Sequence, residues 1–244
     1  MYEDSVRTRR RFLAGAATAT VIGVAGCGSD GSDTEEDPDD DTEPTGNETD
    51  PAAATTAGES DPATTTAAPA NGDVLAPPVA GDPDADVTVM VFEDYACPHC
   101  ADYSLNVFPE IRSRYVDSGE IRYEFHDFPI PVSAESSRAA SAARAVQDTV
   151  GDAAYYTYSK QLFENQSNLG LDTYESEAND IDGADPAAIR AAGAEESYTE
   201  TVQADRQRGV EMGVGGTPEV FVDGSIVEGG ATIENIADAI EDAL

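Results

Sequence analysis

The chain has 244 residues, with 49 Asp and Glu against 13 Lys and Arg, giving a formal charge of −36 at pH 7. That charge excludes a phosphate-clamping nucleic-acid binder, and it argues against docking of the folded part on an anionic lipid surface through Lys or Arg. The 40% hydrophobic residues suffice for at least one real core, and three cysteines are too few for a disulfide-stapled miniprotein.

The charge is unevenly spread. Residues 1–27 carry 2 acids and 4 bases, residues 28–86 carry 17 acids and no base, and residues 87–244 carry 30 acids and 9 bases, with Lys160 the only lysine of the chain. This balance resembles that of proteins from extreme halophiles. At molar salt the Debye length falls to about 3 Å, so the self-repulsion that swells such a domain in dilute buffer is screened. The expectation is a fold that needs salt.

Residues 1–27 read as an export signal: a basic head over Arg7 to Arg11, then a short apolar run from Ala14 to Ala25 that is too short to span a bilayer. Thr8-Arg9-Arg10-Arg11-Phe12-Leu13 resembles the twin-arginine motif, and Val24-Ala25-Gly26-Cys27 resembles a lipobox. That resemblance implies cleavage, lipidation of Cys27 and anchoring to the outer face of the cell membrane. Residues 28–73 are Asp, Glu, Thr, Ala, Pro and Gly with almost no large apolar side chain, and read as a disordered acidic tether with a reach on the order of 40 Å. Asn47-Glu48-Thr49 and Asn165-Gln166-Ser167 are N-glycosylation sequons.

Periodic structure starts near Val74, and the domain is expected over residues 74–244. Val87 to Phe92 is a continuous β-rich apolar run, as for a central strand buried on both faces. Glu93-Asp94-Tyr95-Ala96-Cys97-Pro98-His99-Cys100 follows, and Ala101, Leu105, Phe108, Ile111 and Tyr115 then recur at helical spacing. Pro98 suits the first helical turn, while Pro109 interrupts the pattern and predicts a kink. Ile121, Tyr123 and Phe125 alternate with Arg122, Glu124 and His126, as in a half-buried strand with His126 on its polar face. Residues 133 to about 211 read as helical. Gly216-Thr217-Pro218 then precedes Val220 to Val222, the turn pair Asp223-Gly224, and Ile226-Val227, a hairpin signal. A last helix opens after Thr232 as N-cap and is expected to bury Ile233, Ile236, Ile240 and Leu244. The predicted architecture is α/β: β-α-β, a helical insertion, then β-β-α.

On these residues, from about 81 to 244, the sequence resembles the thioredoxin superfamily and its DsbA-like branch. The carriers are the Cys97-Pro98-His99-Cys100 motif between strand and helix, the helical insertion, and the distant Thr217-Pro218 before a hairpin. The resemblance implies a thioredoxin fold, a redox-active Cys97–Cys100 disulfide with no other cofactor and no metal, and a Thr217–Pro218 peptide that is cis and lies against that disulfide. It also implies that Pro98, Thr217 and Pro218 bind substrate. The spacing has its own chemistry: a thiol at the opening of a helix meets unpaired N–H groups and the positive end of the dipole, which favour its thiolate. Cys97 holds that place, and Cys100, one turn later, is close enough to bond to it as the resolving thiol. His99 between them can donate a hydrogen bond or positive charge to the Cys97 thiolate, which favours the reduced form and makes the disulfide more oxidising.

The implied activity is oxidation of dithiols in unfolded or reduced exported proteins, with a membrane redox partner recycling the active site. Two departures from the family pattern are visible. The position six before the first cysteine, often a buried acid that relays protons, is Val91; Glu93 and Asp94 lie nearer the motif, as substitutes or as a polar cap on the strand end. The residue before the second proline is Thr217, where the best-known bacterial oxidant has Val, which leaves the direction of electron flow open. The alternatives are a reductase or isomerase kept reduced by a membrane partner, a zinc site from Cys97, His99, Cys100 and His126, and a non-redox peptide holdase using Tyr95, Phe108 and Tyr155-Tyr156-Thr157-Tyr158.

Overall fold

The computed structural model describes residues 74–244; Cys27, the signal motifs, the acidic tether and the Asn47 sequon lie outside them. Five strands form one sheet in the order β1-β3-β2-β4-β5. Strand β2 (Val87–Glu93) is central, parallel to β3 (Ile121–Asp127) on one side and antiparallel to β4 (Glu219–Val222) on the other. Its β-branched run fits that place, since both faces are covered and Val89, Val91 and Phe92 have no exposed surface. Strand β5 (Ser225–Ile226) pairs with β4 across Asp223 and Gly224, whose φ of 46° and 76° are the left-handed values a two-residue hairpin demands. Strand β1 (Val79–Gly81) pairs antiparallel with β3. It was not expected, because three residues are too few to show alternation.

The crossover from β2 to β3 is one helical rod over residues 98–116. It begins as α1 (Pro98–Asp102), widens to a π turn at Tyr103–Val107, tightens to α2 (Phe108–Ile111) and widens again at Arg112–Val116. Pro109 lacks the N–H that would continue the ladder, and the Phe108 N–H bonds the Tyr103 carbonyl five residues back. The interruption expected at Pro109 takes the form of these wide turns.

The insertion comprises α3 (Glu135–Val150), α4 (Asp152–Glu164), a 3₁₀ turn at Gln166–Asn168, α5 (Leu171–Ala178), α6 (Pro186–Glu195) and α7 (Thr199–Met212). Helix α8 (Ile233–Ala243) closes the fold, with Thr232 Oγ1 accepting the Asn235 N–H at 3.3 Å. Ile236 and Ile240 are buried and Ile233 half-buried, whereas Leu244, expected inside, is 61% exposed because it stands one residue past the helix end.

Each sheet face has its own core. Val87, Val89, Val91, Tyr123, Phe125, Val220 and Val222 join the large cluster with α3, α4, α6, α8 and the rod. Met90, Phe92 and Phe221 point the other way and pack with Phe128, Met212 and Val214. Helix α7 lies so near this second face that a Cβ on Gly209 would stand 2.6 Å from the Phe128 ring.

One expectation is corrected by this packing. His126 is not on a polar surface but 1% exposed, stacked on Phe92 at 4.9 Å, with Nδ1 3.0 Å from Asp205 and Nε2 3.1 Å from Glu124. Asp205 comes from α7, 79 residues away in the chain, which is why local alternation missed it. Tyr95, Tyr155, Tyr156 and Tyr158 are core side chains, the placement favoured for aromatics at this spacing, and Tyr156 also lines a cavity.

Candidate active site

The chain turns from β2 into α1 through a tight corner built on Asp94. Its Oδ1 accepts the Ala96 N–H at 2.7 Å, its Oδ2 accepts the Ile130 N–H at 2.7 Å, and its carbonyl accepts the Cys97 N–H at 3.0 Å. Burial raises the Asp94 pKa, and the backbone donations from Ile130 and Ala96 oppose that rise. Asp94 is thus the polar brace at the strand end. A second brace comes from the insertion: Gln166 Nε2 donates to the carbonyls of Tyr95 and Cys97, both at 2.8 Å.

Cys97 is the N-cap residue of α1, and its carbonyl accepts the N–H groups of Cys100 and Ala101 at 3.0 and 3.2 Å. Both cysteines are free thiols here, with exposures of 4% for Cys97 and 0% for Cys100, so the difference in access is smaller than their positions in the helix suggest. The Cys97 Sγ donates to the Thr217 carbonyl at 3.4 Å, and the Thr217–Pro218 peptide is cis. The Asp94 N–H points at Cys100 Sγ at 3.4 Å. Burial pushes the Cys100 thiol far above its ordinary pKa, with the Glu93 charge adding to the shift. Pro98 and His99 are exposed, and His99, Asp102, Asn106, Thr217, Pro218 and Thr232 line a groove of about 490 Å³ beside the thiols. The fold therefore brings together Cys97, Pro98, His99, Cys100, Thr217 and Pro218. It holds His126 elsewhere, both ring nitrogens facing carboxylates.

Behind the thiols lies Glu93, 2% exposed, with Ser104 Oγ 3.0 and 2.9 Å from its two carboxylate oxygens. Burial pushes its pKa well above the ordinary 4.5; the Ser104 hydrogen bond opposes this, and the charges of Cys97 and Asp127 reinforce it. Successive side chains on a strand alternate, so Glu93 shares the face of Val91, the position where a relay acid was sought. A shift of two residues along β2 keeps the side chain on the side of the rod. The alternation makes Glu93 findable from sequence, whereas Gln166 was visible only as the middle of a sequon. That sequon is itself structural: Asn165 Nδ2 donates to the Gln161 carbonyl at the end of α4.

A buried thiol pair at a helix opening, faced by a backbone carbonyl and backed by a buried carboxyl whose pKa is raised, is suited to exchanging disulfide for dithiol. Comparison with known proteins agrees. The family model described as Thioredoxin matches residues 74–242. Disulfide bond formation protein D of Bacillus subtilis (strain 168) is 24% identical over 172 residues, covering 68% of this chain and 77% of the relative. The crystal structure of oxidised BdbD from Bacillus subtilis superposes with TM-score 0.64 at 25% identity, over 68% of this chain and 92% of that one. Chlamydia trachomatis DsbA shares the fold, with TM-score 0.60 at 24% identity over 68% and 90%. The chain belongs to the thioredoxin family and is a thiol-disulfide oxidoreductase of its DsbA-like branch.

Proposed function

We propose that the protein is a dithiol oxidase that forms disulfides in exported proteins through Cys97 and Cys100. The observation that carries this reading is Cys97 at the N-cap of α1, with Cys100 one turn inside and the acid Glu93 buried behind the pair. In the oxidised enzyme a substrate thiolate attacks Cys97 Sγ. The Cys97–Cys100 bond breaks, a mixed disulfide forms, and Cys100 leaves with the electron pair. Buried and far above its ordinary pKa, Cys100 needs a proton as it leaves, and the Glu93 carboxyl donates it. A second substrate thiolate then attacks the substrate sulfur of the mixed disulfide and expels Cys97, whose thiolate is favoured at the helix opening. The substrate loses two electrons, the enzyme gains them, and a membrane redox partner reoxidises the dithiol.

Thr217 and Pro218 hold the substrate strand against Cys97, Pro98 and His99 form the wall beside it, and His99 assists the Cys97 thiolate. Residues 74–244 form the catalytic domain, residues 28–73 its tether, and residues 1–27 a twin-arginine lipoprotein signal that places Cys27 at the membrane. The acidic balance of 30 acids to 9 bases in residues 87–244 supports a haloarchaeal type of protein working at high salt. Trapping tests the roles of the two thiols. In Cys100→Ser the mixed disulfide to a thiol peptide is expected to accumulate, and in Cys97→Ser none forms; a mixed disulfide held on Cys100 in Cys97→Ser would reverse them.

A further inference from the structure

A cavity of about 230 Å³ opens on a different face of the helical rod from the substrate groove. Ser104, Phe108 and Arg112, spaced four residues apart, face it, whereas His99, Asp102 and Asn106 face the groove. Its walls are the rings of Phe108, Tyr156 and Phe163, and its buried end is formed by the Glu93 carboxyl and the Ser104 hydroxyl. At its mouth stand Arg112 and Lys160, with side chains 49% and 58% exposed. Each has one carboxylate neighbour, Asp117 and Glu164. Two of the 9 bases of an acidic domain, including its only lysine, thus meet at one apolar opening. An apolar cavity of about 150 Å³ takes up benzene, so this one has room for two fused rings.

We propose that this cavity is a binding site for a small planar hydroxyaromatic acid. Its rings lie among Phe108, Tyr156 and Phe163, its carboxylate lies at Lys160 and Arg112, and its hydroxyl reaches Ser104 and Glu93. Aromatic walls favour offset or edge-on ring contacts, and the inner polar pair supplies both an acceptor and a donor for the hydroxyl. The site involves neither cysteine but shares Glu93 with the proposed proton transfer, so its occupancy is read by binding and not by redox activity.

The test is an amide NMR titration of the full chain with 6-hydroxy-2-naphthoate, with 2-naphthol as the neutral control. Saturable shifts are expected at Phe108, Ser159 and Phe163. Lys160→Glu, on an exposed helix position outside the exchange machinery, is expected to weaken naphthoate binding about fivefold while leaving 2-naphthol within twofold. Ser159→Leu, which fills the cavity, is expected to abolish both. Shifts centred on His99 and Thr232, no saturation, or equal loss of both ligands in Lys160→Glu would each overturn the proposal.

Discussion

Glu93 is proposed to couple proton transfer to thiol exchange. A carboxyl whose folded pKa lies above its unfolded value contributes stability that is fully present below about 4.5 and is lost as pH rises through the folded pKa. Glu93→Gln keeps an acceptor for Ser104 and cannot ionise. It is expected to be about 1–3 kcal/mol more stable than wild type at pH 8 and no more stable at pH 4, measured by denaturant unfolding. The same variant lacks the proton donor for Cys100, and dithiol oxidation is expected to slow by about tenfold to a hundredfold in stopped-flow assays. A variant that gains stability at pH 8 yet oxidises at the wild-type rate removes Glu93 from the chemistry. Gln166→Ala breaks both donations to the Cys97 corner and is expected to cost about 1–3 kcal/mol. At this scale the sequence was readable wherever chemistry is local. The Cys97-Pro98-His99-Cys100 run and Thr217-Pro218 announce themselves, while Gln166 and Asp205 act across 69 and 79 residues of chain and leave no local mark.

The insertion is tied to the sheet by a buried charged network. Arg144 of α3 donates to Asp127 of β3 at 2.6 Å and to Asp205 of α7, and Asp205 in turn meets His126. Burial alone would lower the His126 pKa, but its hydrogen bonds with Asp205 and Glu124 outweigh burial and hold it above 6.5. Its contribution to stability is therefore complete below about 6.5 and lost as pH rises through the raised value. The Glu124 carboxyl, held to about 2 by the His126 hydrogen bond and by Arg122, works in the opposite sense: its contribution is present above about 4.5 and lost on acidification toward 2. Arg144→Met leaves Asp127 and Asp205 buried without their cation and is expected to cost about 3–5 kcal/mol. Asp127→Asn with Asp205→Asn in that background should restore much of the loss, as thermal unfolding would register. Element types were legible from periodicity, and the Asp223-Gly224 turn from composition alone. Partners across layers were not: alternation marks His126 as polar, and only the approach of α7 makes that face an interior.

For the whole molecule, the formal charge of −36 leads to the expectation that acidic self-repulsion makes the fold depend on salt. Circular dichroism is expected to show loss of structure on transfer from multimolar salt to about 0.1 M, where screening reaches only about 10 Å. An unchanged spectrum at 0.1 M would contradict this. Among the described residues no helix is long and apolar enough to cross a membrane. Membrane attachment in this reading rests on Cys27, and Cys27→Ser is expected to release the protein from membranes. The central claim is the direction of exchange, and equilibration of the full chain with glutathione redox buffers in multimolar salt, followed by thiol trapping of Cys97 and Cys100, measures it most directly. A reduction potential near about −120 mV, that of a strongly oxidising dithiol pair, is the expected result; a value near about −270 mV, that of thioredoxin, would contradict it and make the protein a reductase.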